Sequence, residues 1–174
     1  GKYYRVTGES TQHRGVNPDI NLPSPIDSEE IGESVRDSAL PWDTIQTTRF
    51  RAGEPLDTTI HSLTVSHSER AKQDPNFRYL MQYIEDDREA RSRKSMSLNI
   101  EARRADREAD MVRALELENE RRKALSLEPI ESLEDLDDED RPDVHLDQAA
   151  GIVTDLAVMR EVTAPPAQTA QIRP

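Results

Sequence analysis

Residues 74–84 read Asp-Pro-Asn-Phe-Arg-Tyr-Leu-Met-Gln-Tyr-Ile, and they guide the interpretation of the segments on either side. Asp74 followed by Pro75 is a strong helix start, because an aspartate caps free backbone N–H groups and proline suits the first helical position. The apolar side chains that follow recur at i, i+3, i+4 and i+7, which places them on one helix face. They are Phe77, Leu80, Met81 and Ile84. The segment predicts an amphipathic helix that continues to about Arg91.

Helical patterns also lie on both sides of this segment. Residues 58–73 form a weakly amphipathic pattern around Ile60, Leu63 and Val65. Beyond the central helix, residues 95–99 should break the helical path, because their Ser and Asn side chains compete for backbone hydrogen bonds.

Two more helices are predicted after this break. The first runs from about Ile100 to Leu125, and the second starts at about Leu146. The predicted apolar stripe of the long helix is thin and consists of Ala105, Ala109, Val112 and Leu115. The predicted apolar side of the last helix consists of Ala149, Val153, Leu156 and Ala157. The helical domain therefore spans residues 58–160, and the fold class is mainly α.

The beginning of the chain has a different character. Residues 1–22 predict a short β segment, with a strand at residues 2–7 and an edge strand near Pro18, which cannot donate a ladder hydrogen bond. Two strands alone are only marginally stable, so this segment should belong to a larger sheet. Because the chain starts with Gly1 and runs directly into a strand, we expect it to be part of a longer protein.

Residues 23–57 predict an irregular linker, since they are rich in Pro, Ser, Asp and Glu and lack a sustained period. One apolar knot, residues 39–45, interrupts the linker and contains Trp42, the single tryptophan of the chain. A lone tryptophan in a polar linker usually anchors that linker to a neighbouring surface. Stacking of a ligand on Trp42 is the alternative.

Composition limits the classes of function. The chain is 34% hydrophobic and 33% charged, which predicts helices with narrow apolar faces rather than one large core. A net charge of -12 argues against general binding to nucleic acid or to an anionic membrane surface. No segment has the roughly 20 apolar residues that a membrane span requires. The absence of cysteine excludes disulfides and thiol chemistry.

Charge is distributed unevenly along the chain. Residues 128–147 carry ten acidic residues and one arginine, Arg141, which predicts a solvated acidic linker inside the helical domain. The helix at residues 101–123 mixes acidic and basic side chains, which suits an exposed helix or a surface that binds a partner protein. Residues 161–174 contain three prolines and predict a disordered tail.

Candidate catalytic and metal-binding residues are few. Ser10, His13 and Asp19 have the side-chain types of a hydrolase triad, but such members usually come from separate elements held by a core. Loop polarity explains these three residues better. No glycine-rich phosphate loop is present. We therefore assign no catalytic residue and expect no cofactor.

Three histidines and one acidic run could be considered for metal. His61 and His67 are six residues apart, about 120° around a helix, and do not converge on one ion. His145 stands alone among acidic residues. The acidic run at residues 131–143 could bind Ca²⁺ but lacks the spacing and central glycine of an EF-hand loop. We assign no metal site.

Several motifs in this chain resemble those of the C-terminal processing peptidases. Residues 2–20 are similar to the last β segment of that catalytic domain, in which a Tyr-Arg strand precedes the pattern Ser-Thr-Gln-x-x-Gly-Val-x-Pro-Asp-Ile. Residues 39–43, 97–99 and 118–122 are similar to motifs of the larger tail-specific proteases of Gram-negative bacteria. The resemblance covers most of residues 2–160.

This resemblance implies a periplasmic serine endopeptidase with a Ser/Lys dyad, which recognises nonpolar C-termini through a PDZ domain and degrades the proteins that carry them. No residue of this chain matches the dyad or the PDZ domain, so the fragment should be inactive by itself. The implied role is that of a non-catalytic C-terminal helical domain, behind a β segment left over from the peptidase domain. It would brace the catalytic domain and shape the access of substrates or of an adaptor protein.

The residues alone also allow a second hypothesis, an independent acidic helical interaction module unrelated to proteolysis. The two hypotheses differ in whether a PDZ domain and a Ser/Lys segment precede this chain in the full-length protein. Under the first, the partners are those upstream domains, the protein substrates and an adaptor. The thin stripes of the helices also allow self-association into a homo-oligomer.

Overall fold

A computed structural model describes residues 1–27, 31–136 and 141–163 of the chain. Four α-helices dominate this part of the molecule, which confirms the mainly α fold class. They are α1 (Asp57–Gln73), α2 (Pro75–Ser92), α3 (Ile100–Ala124) and α4 (Val144–Thr163). Short 3₁₀ helices occur at Glu33–Val35 and Leu133–Asp135.

The junction between α1 and α2 forms as the sequence predicts. The Asp74 carboxylate accepts a hydrogen bond of 2.8 Å from the backbone N–H of Asn76, and Pro75 occupies the first position of α2. Proline has no backbone N–H that needs a partner in the first turn of a helix. The second helix can therefore begin directly after Asp74, which is the single residue between α1 and α2. On the predicted face of α2, Ile84 is buried while Met81 remains 45% exposed.

Capping residues also fix both ends of α3. The Asn99 side chain accepts hydrogen bonds from the backbone N–H groups of Glu101 and Ala102, at 2.8 and 3.4 Å. At the other end, Ser126 adopts the left-handed conformation with φ of 59°, and the N–H of Leu127 donates to Arg122 O at 2.8 Å. This pattern is a Schellman motif, which turns the chain sharply away from the helix axis.

The helices pack as two connected pairs. α4 lies mainly on α1, α2 lies on α3, and α2 also contacts α1 and α4. Among the described residues the buried apolar side chains are Leu63, Ala71, Ile84 and Val144. The buried polar side chains are more numerous and comprise Ser10, Gln12, His67, Glu118, Arg121 and Gln148. The interior is therefore held together by polar contacts as much as by apolar ones.

The predicted strands within residues 1–22 are wrong in extent. In the described residues the β pairing consists of two isolated bridges, Tyr4 with Ser10 and Glu9 with Thr44. Residues near Pro18 form an irregular segment and a bend instead of an edge strand. Three backbone hydrogen bonds, Ser10 N to Asp43 O, Ile45 N to Gly8 O and Thr48 N to Val6 O, join the linker to residues 6–10 without forming a continuous ladder.

The predicted apolar stripes of α3 and α4 are wrong at most positions, although Leu115 and Leu156 are half-buried as predicted. Ala105, Ala109 and Val112 are exposed, and α3 instead packs through Ala114, Leu117, Glu118 and Arg121. On α4, Ala149, Val153 and Ala157 face solvent, and the packed side contains Gln148, Ile152, Asp155 and Leu156. The buried face of each helix is the one that meets the neighbouring helices. Polar side chains can be buried on that face because they find hydrogen-bonding partners there.

α4 also begins two residues before the predicted start and includes residues that were expected in the acidic linker and the tail. The remainder of the predicted disordered tail, residues 164–174, lies outside the described residues. Within the described part of the chain, every helix is too short or too polar to cross a lipid bilayer.

Candidate functional site

Among the described residues, the most deeply buried ionic group lies between α2 and α3. Glu118 is 1% exposed and receives two hydrogen bonds from the Arg121 guanidinium, of 2.9 and 2.5 Å. Arg121 also donates to the Asn76 side-chain oxygen at 3.0 Å, and its guanidinium lies 5.5 Å from the centre of the Tyr79 ring. Because a charged pair is stable in the interior only when its remaining hydrogen bonds are satisfied, Asn76 and Tyr79 complete the group.

The next residues of α3 hold the segment that follows the helix. The Asn119 amide donates to Ile130 O at 3.0 Å and accepts from Ile130 N at 2.9 Å, which is the pattern of a backbone pair. Arg122 donates to Glu128 O at 2.6 Å. Residues 128–130 are thus attached to α3 by the side chains next to the buried pair.

Burial also changes the titration of the tyrosine in this group. The pKa of Tyr79 is raised, first by burial and then by the negative charge of Glu118. The phenol therefore stays protonated at neutral pH, and its role is to pack and to face the guanidinium of Arg121.

A second polar cluster ties α4 to α1 and α2. The Asp155 carboxylate accepts hydrogen bonds from Arg70 at 2.7 Å and from Ser66 at 2.9 Å. The hydrogen bond from Arg70 is the main cause that lowers the pKa of Asp155. A carboxylate held in this way is a weak base, so its contact with Ser66 does not activate the hydroxyl as a nucleophile.

Gln148 and Gly151 complete the attachment of α4. The Gln148 amide donates to the Asp74 carboxylate at 2.5 Å, so Asp74 both caps α2 and binds α4. A Cβ atom at Gly151 would lie 2.9 Å from Nε of Arg70. Glycine at this position therefore allows α4 to approach the arginine on α1 closely.

His67 lies at the centre of this second cluster. It is 6% exposed, and its ring packs edge-on against Phe77 with ring centres 5.8 Å apart. Burial is the first cause and the positive charge of Arg70 the second cause that lower the pKa of His67. Among the described residues its Nδ1 atom has no hydrogen-bond partner. The neutral imidazole is therefore the form that fits this site.

A third cluster joins the beginning of the chain to the knot at residues 39–45. The Asp43 carboxylate accepts hydrogen bonds from Lys2 at 2.8 Å and from Tyr4 at 3.3 Å. The Lys2 hydrogen bond is the first cause that lowers the pKa of Asp43, whereas the pKa of Tyr4 is raised, first by burial. The Arg14 guanidinium lies 4.3 Å from the centre of the Trp42 ring.

Backbone contacts reinforce this third cluster. The N–H of Ser10 donates to Asp43 O at 3.0 Å, and the N–H of Ile45 donates to Gly8 O at 2.8 Å. Gly8 has φ of 88°, and a Cβ atom there would lie 2.1 Å from Ile45 O. The close approach of the knot to the first ten residues thus requires glycine at this position.

The three residues considered for a triad do not form one. Ser10 is buried, and its hydroxyl accepts a hydrogen bond from Gln12 N at 3.1 Å. The Nε2 atom of His13 donates to Leu40 O at 2.7 Å, and Asp19 lies in an exposed bend. Each residue thus has a local role in the loop or in the contact with the knot.

The histidines considered for metal are also separated. His61 is exposed, His67 is enclosed by the second cluster, and Nε2 of His145 donates to Pro23 O at 2.7 Å. Within residues 1–27, 31–136 and 141–163, no group of three or more His, Asp or Glu side chains is arranged to hold a metal ion. Part of the acidic run at residues 131–143 lies outside the described residues.

A cleft of about 600 Å³ lies between α2, α3 and the segment that precedes α4. Its apolar lining includes Tyr83, Leu117, Leu133 and Val144, and charged side chains surround it. Sequence reasoning did not identify this cleft or the buried roles of Glu118, Arg121 and Asp155. The spacing of Glu118 and Arg121, three residues apart on a helix, was a signal for a pair but not for its burial.

Comparisons with known proteins agree on one family. Residues 26–158 match the family described as the C-terminal domain of tail-specific protease. The chain is 37% identical over 161 residues to a tail-specific protease of Haemophilus influenzae, and this similarity covers 90% of the chain. The chain spans 23% of the length of that relative.

Proposed function

This chain belongs to the family of C-terminal domains of tail-specific proteases, and from that premise we propose that it is the non-catalytic helical domain of a periplasmic serine endopeptidase. In this proposal the parent protein recognises nonpolar C-termini of substrate proteins, and the helical domain braces its catalytic domain. The domain also shapes the access of substrates or of an adaptor protein. The observation that carries the proposal is the family match over residues 26–158.

The interior of the molecule supports a bracing role. Four apolar and six polar side chains are buried among the described residues, so the helices gain only part of their stability from apolar burial. At the same time large apolar side chains are exposed on several elements, including Leu98, Leu146 and Val153. Apolar surface of this kind suits a domain that packs against another part of a larger protein.

The alternative of an independent interaction module has less support. It treats the match of residues 2–20 as chance, whereas the relative from Haemophilus influenzae is similar to 90% of this chain. The third cluster also supports the bracing role, because Asp43 and Trp42 attach the linker to the first residues of the chain. These contacts join the first residues of the chain to the linker that leads into α1.

The proposal is tested with the full-length parent protein and two derivatives. One derivative ends before Asp57 and so lacks all four helices, and the other is the present chain alone. The substrate is an unfolded protein with a nonpolar C-terminus, and the same protein with an acidic C-terminus is the control. We expect the full-length protein to cleave the nonpolar form selectively, the truncated form to lose stability and selectivity, and the chain alone to be inactive.

Three results would contradict parts of this proposal separately. Cleavage by the chain alone would show that it contains catalytic residues. An unchanged rate, selectivity and melting temperature after truncation would remove the bracing and access roles. Recovery of the parent protein with a cytoplasmic marker rather than a periplasmic marker after osmotic shock would contradict the localisation.

A further inference from the structure

The last helix, α4, is attached to the other helices largely through polar contacts. Val144, at its first position, is the one apolar side chain of α4 that is buried among the described residues, and Ile152 and Leu156 are half-buried. The remaining attachments are the hydrogen bonds of Gln148 and Asp155 to the α1–α2 region. Because an element that buries little apolar surface opens at a lower free energy than the whole protein, α4 can separate from the other helices locally.

His67 is the histidine enclosed where α4 meets α1 and α2. Its side chain is 6% exposed. On its own helix it feels the charge of Arg70, and from α4 it is affected by Gln148 and by the charge of Asp155. From α2 it meets the uncharged ring of Phe77, with the ring centres 5.8 Å apart. Three elements therefore determine the surroundings of one imidazole.

These surroundings fit the neutral imidazole and disfavour the imidazolium ion. Among the described residues Nδ1 of His67 has no hydrogen-bond partner, so a proton added there creates a buried donor without an acceptor. It also adds a positive charge beside the Arg70 guanidinium. Gln148 and Asp155 favour the charged form, but burial and Arg70 outweigh them, and the pKa of His67 is lowered.

Separation of α4 changes these conditions. Water then reaches the ring, and the pKa of the imidazole returns toward its ordinary value of 6.5. The open form therefore binds a proton more readily than the closed form, and acid favours opening.

The other ionisable contacts of α4 do not provide this response to mild acid. The hydrogen bond from Arg70 lowers the pKa of Asp155 from 3.8, so this carboxylate keeps its charge at about pH 5. His145 donates from Nε2 to Pro23 O, and this donor is still present when the ring is protonated. Protonation of His67 is thus the event that couples mild acid to α4.

We propose that α4 is an acid-sensitive latch: protonation of His67 raises the population in which α4 has separated from α1 and α2. The contact between α2 and α3 persists in that population, because Arg121 still binds Glu118 and Asn76. The released state exposes the side of α1 that carries Ser66, His67 and Arg70. This device goes beyond the proposed function, since it requires only contacts within this chain.

Hydrogen exchange followed by mass spectrometry tests the latch in the full-length protein with its cleavage site inactivated. Protection of the α4 amides is measured at about pH 7.5 and about pH 5, with labelling times scaled to the intrinsic exchange rates. We expect the opening constant of α4 to increase toward pH 5. The limit is about thirtyfold, which one proton and an ordinary pKa of 6.5 allow. An opening constant that does not increase would overturn the proposal.

Variants of α1 show whether His67 is the group responsible. His67→Leu should abolish the increase, and His67→Gln, which is also uncharged at both pH values, repeats the test with a polar side chain. His61→Leu replaces the exposed histidine of the same helix and should keep the full increase. A full increase in both variants of His67, or its loss in His61→Leu, would overturn the proposal.

A measurement on the wild-type protein distinguishes separation of α4 from unfolding of the whole domain. At about pH 5, the α4 amides should be less protected than those of residues 114–124 in the second half of α3. Their exchange should also depend less on about 1 M urea, because local opening exposes less surface than global unfolding. Equal protection and equal dependence on urea in the two helices would show that α4 opens only when the domain unfolds, which would overturn the latch.

Discussion

The two halves of α3 carry the same ion pair in opposite surroundings. Glu101 and Arg104 lie three residues apart near the start of the helix, with a distance of 3.0 Å and exposures of 74% and 71%. Glu118 and Arg121 have the same spacing near its end, with a distance of 2.5 Å and exposures of 1% and 3%. The three-residue spacing on the helix therefore brings the two side chains together. The neighbouring elements determine how much the pair contributes to stability.

The surroundings of the second pair explain the difference. Asn76 and Tyr79 from α2 contact Arg121, and Arg122 lies 3.9 Å from Glu118. The first pair is largely exposed to solvent, so its attraction is weak and is screened by salt. One helix thus contains an internal anchor in its second half and an exposed surface in its first.

The largest expected effect comes from removing one member of the buried pair. Glu118→Ala leaves the Arg121 guanidinium without its carboxylate in the interior, and we expect a loss of about 3–5 kcal/mol in the free energy of unfolding. Glu101→Ala is the matched control and should cost less than about 0.5 kcal/mol. Chemical denaturation of both variants in the full-length protein, with the cleavage site inactivated, measures the difference.

A double variant shows whether the loss comes from an unpaired charge. Replacing both members, Glu118→Leu with Arg121→Met, removes the bidentate pair together and should be closer to wild type than Glu118→Ala. Arg122, which lies 3.9 Å from Glu118, stays in place and keeps its hydrogen bond to Glu128 O, so the recovery should be incomplete. If Glu118→Ala and Glu101→Ala lower the free energy of unfolding by the same amount, burial does not change the contribution of an ion pair in α3. The contrast between the two halves of the helix would then be contradicted.

A smaller effect of opposite sign is expected at the end of the anchored half. Ser126 adopts φ of 59°, a conformation that costs a residue with a side chain roughly 1–2 kcal/mol and costs glycine little. Ser126→Gly should therefore stabilise the protein by about 1 kcal/mol, visible as a higher melting temperature. Ser126→Ala keeps the penalty and serves as the control. A Ser126→Gly variant that melts below Ser126→Ala would contradict this interpretation of the turn.

The sequence predicted the helices and their caps better than their faces. The Asp74–Pro75 start, the break before Asn99 and the extent of α3 could be predicted, because capping and helix propensity act within a few residues. The buried faces of α3 and α4 could not, since Glu118, Arg121 and Gln148 are types that sequence patterns assign to solvent. Their burial depends on partners distant in sequence, such as Asn76 and Asp74.

The N-terminal β segment shows the same limit. The predicted return strand near Pro18 does not form; Tyr4 pairs with Ser10 instead, and Glu9 pairs with Thr44 of the linker. Which residue of a linker approaches a strand depends on tertiary contacts, here those of Asp43 and Gly8. Such contacts have no local signal in the sequence.

The smallest expected effect extends the comparison of buried and exposed side chains to α1, which carries the exposed His61 and the buried His67. The pKa of His67 in the folded protein is lowered from 6.5, so the unfolded chain binds a proton more readily than the folded one. The titration of His67 therefore leaves the free energy of unfolding unchanged above about pH 6.5. As the pH falls from that value through the lower pKa of the folded protein, the free energy of unfolding decreases. The groups that act on His67 are Arg70 on α1 and, on α4, Gln148 and Asp155. The hydrogen bond with Gln148 and then the charge of Asp155 partly oppose the lowering of the His67 pKa.

Melting curves at about pH 7.5 and about pH 5 test this prediction, since the interval includes the ordinary histidine range. Between these two pH values, wild type and His61→Leu should lose similar amounts of stability. His67→Leu should lose less, because leucine cannot bind a proton in place of the buried imidazole. The comparison uses the difference between the two pH values for each variant, so a constant effect of leucine on packing cancels. Equal losses in all three proteins would show that protonation of His67 is not linked to unfolding, and burial would then matter for the carboxylate of Glu118 but not for this imidazole.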